Sequence, residues 1–263
     1  MMPILSAGIV LAVIGLIFGL VLTFASKKFH VDVDERVTKV RECCAGANCG
    51  ACGYPGCDGF AAAVVAGKAP VNGCKPAGAE GAKKIAAIMG ADAGADEERM
   101  VARVLCQGVK GVAKERYTYD GYKSCAAAAS VAGGPKECRF ACIGMGDCQA
   151  HCAFGAISMK DGVAHIDDNK CVACGACVEA CPRNVIRLMP ASQNVMVRCR
   201  NSDVARVARA VCMDACIGCG RCKKECQYEA ITVENGFARI DPAKCTRCGA
   251  CAAVCPCHCI TTE

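Results

Sequence analysis

Nine cysteines return at a fixed interval. Cys125, Cys138, Cys142, Cys148, Cys152, Cys171, Cys174, Cys177 and Cys181 are each followed 74 residues later by another, at Cys199, Cys212, Cys216, Cys222, Cys226, Cys245, Cys248, Cys251 and Cys255. A spacing kept at that many positions makes the second half of the chain two copies of one unit. The intervening text repeats as well, FGAISMKDGVAHIDDNKC against YEAITVENGFARIDPAKC. Each stretch reads as an apolar strand, an Asp-Gly or Asn-Gly turn and a second strand. The whole chain holds 28 cysteines in 263 residues but only 7 Phe, 5 Tyr and no Trp. Aromatic packing is too scarce to organise such a fold, and the thiols are the alternative.

Two runs identify what the thiols hold. Cys171-x2-Cys174-x2-Cys177-x3-Cys181-Pro182 and Cys245-x2-Cys248-x2-Cys251-x3-Cys255-Pro256 match the bacterial ferredoxin spacing, in which the fourth cysteine serves the other cluster of a pair. Zinc sites use cysteine pairs a dozen or more residues apart, so a structural zinc scaffold fits poorly. A disulfide framework suits a reducing compartment no better.

The upstream run of the second copy, Cys216-x2-Cys219-x2-Cys222-x3-Cys226, is regular, but the first copy carries Met145 where Cys219 stands in the second. A thioether replaces a thiolate badly, and Cys138 is the nearest substitute; its counterpart Cys212 is then a spare or a rival to Cys219. Exchanging fourth cysteines groups Cys138, Cys142 and Cys148 with Cys181; Cys171, Cys174 and Cys177 with Cys152; Cys216, Cys219 and Cys222 with Cys255; and Cys245, Cys248 and Cys251 with Cys226. A further group, Cys49-x2-Cys52-x4-Cys57-x16-Cys74, has Gly50, Gly53 and Gly56 to let backbone wrap closely and a Tyr-Pro-Gly turn. The expectation is about five [4Fe-4S] clusters on these cysteines. Cys43, Cys44, Cys106, Cys125, Cys199, Cys212, Cys257 and Cys259 are left without a role, with Cys106 and Cys125 as candidates for a sixth centre.

From Ile4 to Ala25 the chain carries no charge. At 1.5 Å per residue that run reaches roughly 33 Å, against a bilayer core of about 30 Å. The expectation is a transmembrane anchor over 1-26, packing on other subunits through the small residues Gly8, Ala12, Gly15 and Gly19. Lys27 and Lys28 would put the remainder in the cytoplasm. The formal charge of +6 suggests an acidic partner. Five clusters with their thiolates add roughly −10, so the loaded protein is net acidic and nucleic-acid binding loses its support. No Walker loop, dinucleotide fingerprint or nucleophilic triad is visible, since Gly144 and Gly146 lie inside a cluster loop. A chain holding several one-electron centres and no organic substrate site relays electrons for partners that do the chemistry.

The anchor, the GANCGACGYPGC block, KECRFACIGMGDC with AFGAI, and the runs CVACGACVEACP and CTRCGACAAVCP together resemble the B subunit of the Rnf complex. The resemblance covers nearly the whole chain, although Cys43-Cys44 stands where that family usually shows Leu-Pro. It implies a component of an ion-translocating ferredoxin:NAD oxidoreductase that takes electrons from reduced ferredoxin, with flavin and the membrane subunits in other chains. A membrane-tethered polyferredoxin feeding another acceptor, such as a redox-sensor-reducing complex, is the alternative.

The fold class expected is α+β: the anchor (1-26), a small α-helical four-cysteine domain (34-93), a connector (94-136), ferredoxin-like module 1 (137-190), a second connector (191-210) and ferredoxin-like module 2 (211-263). Arg221, Lys223, Lys224, Lys244 and Arg247 cluster around the cysteine runs of module 2, whereas the equivalents in module 1 are Asp147, Gln149, Ala150, Lys170 and Ala173. That contrast favours module 2 as the docking end for an acidic carrier, with ordinary solvated charges as the alternative reading.

Overall fold

A computed structural model describes residues 2–28, 34–94 and 98–262, with the side chains of 12–25 and 28 in the first helix. That helix, α1 (Met2–Lys28), forms, but the expectation of a transmembrane span is corrected. Among the described residues no helix is long and apolar enough to cross a membrane. Within the chain nothing lies within 4 Å of a Cβ built on Gly15 or Gly19, and the Gly8 position is outside the described side chains.

After residue 33 the chain forms a small helical unit from α2 (Glu35–Cys43), α3 (Gly56–Val65) and α4 (Gly78–Met89). The Asp34 carboxylate caps α2 by accepting from the Arg36 N–H at 2.9 Å, and Gly90 ends α4 in the left-handed region. Val40, Phe60, Ala61, Val64 and Ile85 meet in its core, with the thiols of Cys43, Cys44, Cys52 and Cys74 packed against them.

The remainder is built from strand pairs joined by cysteine loops. Along it lie β1 (Met100–Val104), α5 (Cys125–Ser130), α6 (Asp147–Ala150), β2 (Ile157–Lys160), β3 (Val163–Ile166), α7 (Ala176–Glu179) and β4 (Ile186–Pro190). Then follow β5 (Val195–Val197), α8 (Ala205–Val211), α9 (Arg221–Glu225), β6 (Ile231–Glu234), β7 (Phe237–Ile240), α10 (Ala250–Ala253) and β8 (Ile260–Thr262). Four antiparallel pairs result: β1 with β4, β2 with β3, β5 with β8 and β6 with β7.

The two hairpins have the same register, Ile157 opposite Ile166 and Ile231 opposite Ile240. Their turns use Asp161-Gly162 and Asn235-Gly236, all four residues at positive φ, as a two-residue turn matched to strand twist requires. The outer pairs correspond too, since Val104 faces Ile186 in one module and Val197 faces Ile260 in the other.

Each hairpin turn is a platform for a cysteine loop. Gly144 approaches the turn so closely that a Cβ there would lie 2.5 Å from the Gly162 carbonyl oxygen, and one on Gly218 would lie 2.9 Å from that of Gly236. Thiols make up much of both cores. Cys106, Cys138, Cys142, Cys148 and Cys177 are buried with Ile157 and Ile186 in module 1, and Cys216, Cys222, Cys251, Cys255, Cys257 and Cys259 with Val195 and Ile231 in module 2.

Candidate metal centres

In the helical unit, Gly50, Gly53 and Gly56 take φ of 70°, 80° and 83° and curl the loop that carries Cys49 and Cys52. Cys57 starts α3, where its N–H donates to Asn48 Oδ1 at 2.8 Å, and Cys74 leads into a short 3-10 turn at Lys75–Ala77. Cys44 stands beside this group: burial pushes its thiol up to about 12, and the neighbouring Cys74 and Cys57 add to the effect. The next group is close by. Burial raises the Cys174 thiol, and Cys49 from the helical unit acts on it together with Cys152 and Cys171. A cleft between the two units is lined by Cys74 and Cys171.

Within each module the structure brings cysteines of separate runs together. Burial pushes Cys177 up to about 12, with Cys171, Cys174 and Cys152 around it. It likewise raises Cys251, next to Cys245, Cys248 and Cys226. Cys216, Cys219, Cys222 and Cys255 line one cavity. Cys257 and Cys259 reach the same cavity, the latter with its Sγ 3.5 Å from Cys255 Sγ. In module 1 the corresponding cavity is lined by Cys142, Cys148, Cys181 and Cys125. Cys138 is not part of it. That thiol lines a third cavity with Cys106, Cys199 and Cys212. Burial pushes Cys212 up to about 11, and Cys106 and Cys138 contribute.

The donor set and its surroundings fit iron–sulfur clusters. Four or more thiols line each of the three cavities, and thiolate is the ligand that such clusters take. Backbone N–H groups already point at sulfur: Ala102 to Cys171 at 3.3 Å, Ala156 to Cys152 at 3.4 Å, Ala238 to Cys216 at 3.4 Å and Arg247 to Cys245 at 3.4 Å. Such bonds stabilise thiolate charge and tune cluster potential. The raised thiols are neutral at pH 7 without metal, so iron displaces their protons as it binds.

Known proteins agree. Residues 45–76 match a family described as a putative Fe-S cluster, 164–187 a 4Fe-4S binding domain and 211–256 a 4Fe-4S dicluster domain. The chain is 47% identical over 255 residues to the B subunit of the Na(+)-translocating ferredoxin:NAD(+) oxidoreductase complex of Acetobacterium woodii, covering 97% of this chain and 76% of that one. The chain belongs to the B-subunit family of Rnf ion-translocating oxidoreductase complexes.

Other B subunits are similar over comparable lengths. That of the ion-translocating oxidoreductase complex of Methanosarcina acetivorans is 40% identical, with 94% of each chain covered. That of the proton-translocating ferredoxin:NAD(+) oxidoreductase complex of Clostridium ljungdahlii is 39% identical, over 94% of this chain and 88% of that one. As an Rnf B subunit the chain is a membrane-associated electron-transfer component of an oxidoreductase complex and carries [4Fe-4S] clusters.

The resemblance read from the motifs therefore stands. The 74-residue spacing pairs Cys125 with Cys199 but does not show that Cys125 lines the module 1 cavity. The signal that separates the two is a length difference between copies: Cys106 precedes Cys138 by 32 residues and Cys199 precedes Cys212 by 13, so the first copy holds an insertion that includes α5 and Cys125.

Proposed function

We propose that this protein accepts electrons from reduced ferredoxin at module 2 and relays them through module 1 to the Cys49, Cys52, Cys57 and Cys74 site, and from there to flavin-bearing subunits of the complex. The observation that carries this reading is the surface of module 2. Cys219 and Cys248 are the two exposed thiols among the described cysteines. Arg221, Lys223, Lys224, Lys244 and Arg247 around them are all exposed. An accessible cluster beneath a basic surface suits an acidic one-electron carrier, because complementary charge raises the rate of productive encounter. At the other end, the nearness of Cys49 to Cys174 gives module 1 an outlet toward the helical unit. In this reading the cluster-bearing part faces the cytoplasm and is held at the membrane by its partner subunits.

The test is kinetic. Replacing Lys223 and Lys224 together by Glu slows reduction of the holoprotein by ferredoxin about tenfold at low ionic strength, and the deficit shrinks as salt shortens the Debye length to about 10 Å at 0.1 M. An unchanged rate at low salt would move the docking surface away from α9.

A further inference from the structure

We propose that Cys106, Cys138, Cys199 and Cys212 hold a sixth [4Fe-4S] cluster that bridges the two ferredoxin-like modules, and that Cys125 closes the neighbouring site of module 1 in place of Cys138. The proposal rests on reading the chain as a cluster relay. Four independent features carry it.

The first is lining. The cavity between the modules has four cysteines on its wall, as many as the module 1 cavity, and the module 2 cavity has six.

The second is symmetry. Cys106 follows β1 as Cys199 follows β5, two residues beyond Val104 and Val197, which occupy equivalent places in the outer strand pairs. Leu105 N–H donates to the Val185 carbonyl at 2.7 Å and Arg198 N–H to that of Cys259 at 2.7 Å, again equivalent positions. Cys138 and Cys212 are related by the 74-residue repeat. The four thiols are thus two equivalent pairs, one from each module, meeting where the copies face each other.

The third is hydrogen bonding to sulfur. Cys106 Sγ accepts from the N–H groups of Gly108 and Cys142, each at 3.4 Å. Cys199 Sγ accepts from those of Asn201 at 3.5 Å and Cys216 at 3.3 Å, the same pattern in the second copy. Asn201, 1% exposed, also donates from its amide to Cys138 Sγ at 3.5 Å, so a side chain of the second connector reaches a thiol of module 1. Thiols met by converging N–H donors are built for negative charge on sulfur.

The fourth is that Cys138 is not needed next door. Asp147, in the loop between Cys142 and Cys148, accepts from the N–H groups of Cys125 at 2.8 Å and Ala126 at 3.1 Å and from the Ser124 hydroxyl at 3.0 Å. That fixes the start of α5 against the module 1 cavity and puts Cys125 on its wall. Met145, which lacks a thiolate, packs beside Cys125 and Ile143.

The consequence is continuity. Cys142 and Cys216, ligand candidates of the two inner module sites, each donate a backbone N–H to a thiol of the bridging group, one from either side. A cluster held by Cys106, Cys138, Cys199 and Cys212 would pass single electrons between the inner sites of module 2 and module 1, with no proton required.

The test is iron and acid-labile sulfide content of the full chain loaded anaerobically, with EPR of the reduced protein. The expected content is about 24 iron atoms. Cys106→Ser with Cys212→Ser removes one cluster, about four irons, together with its EPR signal. Adding Cys138→Ser to that pair costs nothing more, whereas adding Cys125→Ser costs about four further irons. A wild-type content near 20 that the Cys106 and Cys212 pair leaves unchanged overturns the bridging site, and so does a further cluster lost with Cys138→Ser. A content near 12 or below would instead mean that the tandem-module relay itself fails to form. The wild-type number decides the matter even where a variant does not fold.

Discussion

Asp147 shows how one side chain fixes a cluster loop. Burial alone would raise its carboxyl, but the N–H groups of Cys125 and Ala126 and the Ser124 hydroxyl outweigh this, with His151 adding, and hold it below the usual range. Asp147→Ala leaves the start of α5 without that acceptor and destabilises the holoprotein at pH 7 by about 1 kcal/mol, read as a lower Tm. Because the folded-state value is depressed, the ionised Asp147 contributes fully above the ordinary carboxylate range. Its share is lost as pH falls through the lowered value, so the gap between wild type and variant is flat down to about pH 4 and narrows below it. An identical Tm at pH 7 would show that α5 is held by something else. None of this is legible from the sequence, where Asp147 is one more acidic residue between cysteines. What can be read there is the defect at Met145; Cys125, the ligand proposed to make it good, lies 20 residues upstream and is brought beside Met145 by tertiary packing that no local spacing encodes.

At the scale of elements the hairpins are the most legible part. Strand alternation and the Asp161-Gly162 and Asn235-Gly236 turns are local properties, and β2–β3 and β6–β7 follow them. The outer pairs β1–β4 and β5–β8 are not legible, since they join strands separated by whole cysteine loops. The apolar N-terminal run predicts a helix correctly and a membrane span incorrectly. The contact between cysteine loop and hairpin turn makes a further prediction. Gly144 and Gly218 sit at φ of 88° and 63° with a carbonyl oxygen where a Cβ would go. Gly144→Ala destabilises by roughly 2 kcal/mol or more and displaces the loop leading to Cys148, lowering the iron content of module 1; Gly218→Ala, with 0.4 Å more room, is milder. Equal tolerance of both, measured by Tm and bound iron, would mean that the loop slides freely over its turn.

For the whole molecule, the order of sites along the chain is not their order in space. The Cys49 group neighbours Cys174 rather than the first run of module 1, and the two modules meet through Cys106, Cys138, Cys199 and Cys212. Loading also turns a formally basic chain of +6 acidic, since every cluster with its four thiolates contributes about −2. The basic surface of α9 is then a local feature on an acidic body. It orients a carrier that the remainder of the molecule repels.

The thiols inside both cores carry one more consequence. Cys142, Cys148, Cys216 and Cys222 occupy places where other domains of this size put leucine or phenylalanine. Without metal these places border cavities rather than filled space, and a small domain has few other apolar groups to compensate. Stability and cofactor content are therefore one variable. Chelating the iron unfolds both modules, seen as loss of protease resistance along with the visible absorption, and restoring iron and sulfide returns the two together. In a cell, a shortage of iron then removes the protein through the proteolytic machinery, and its abundance becomes a gauge of the metal supply.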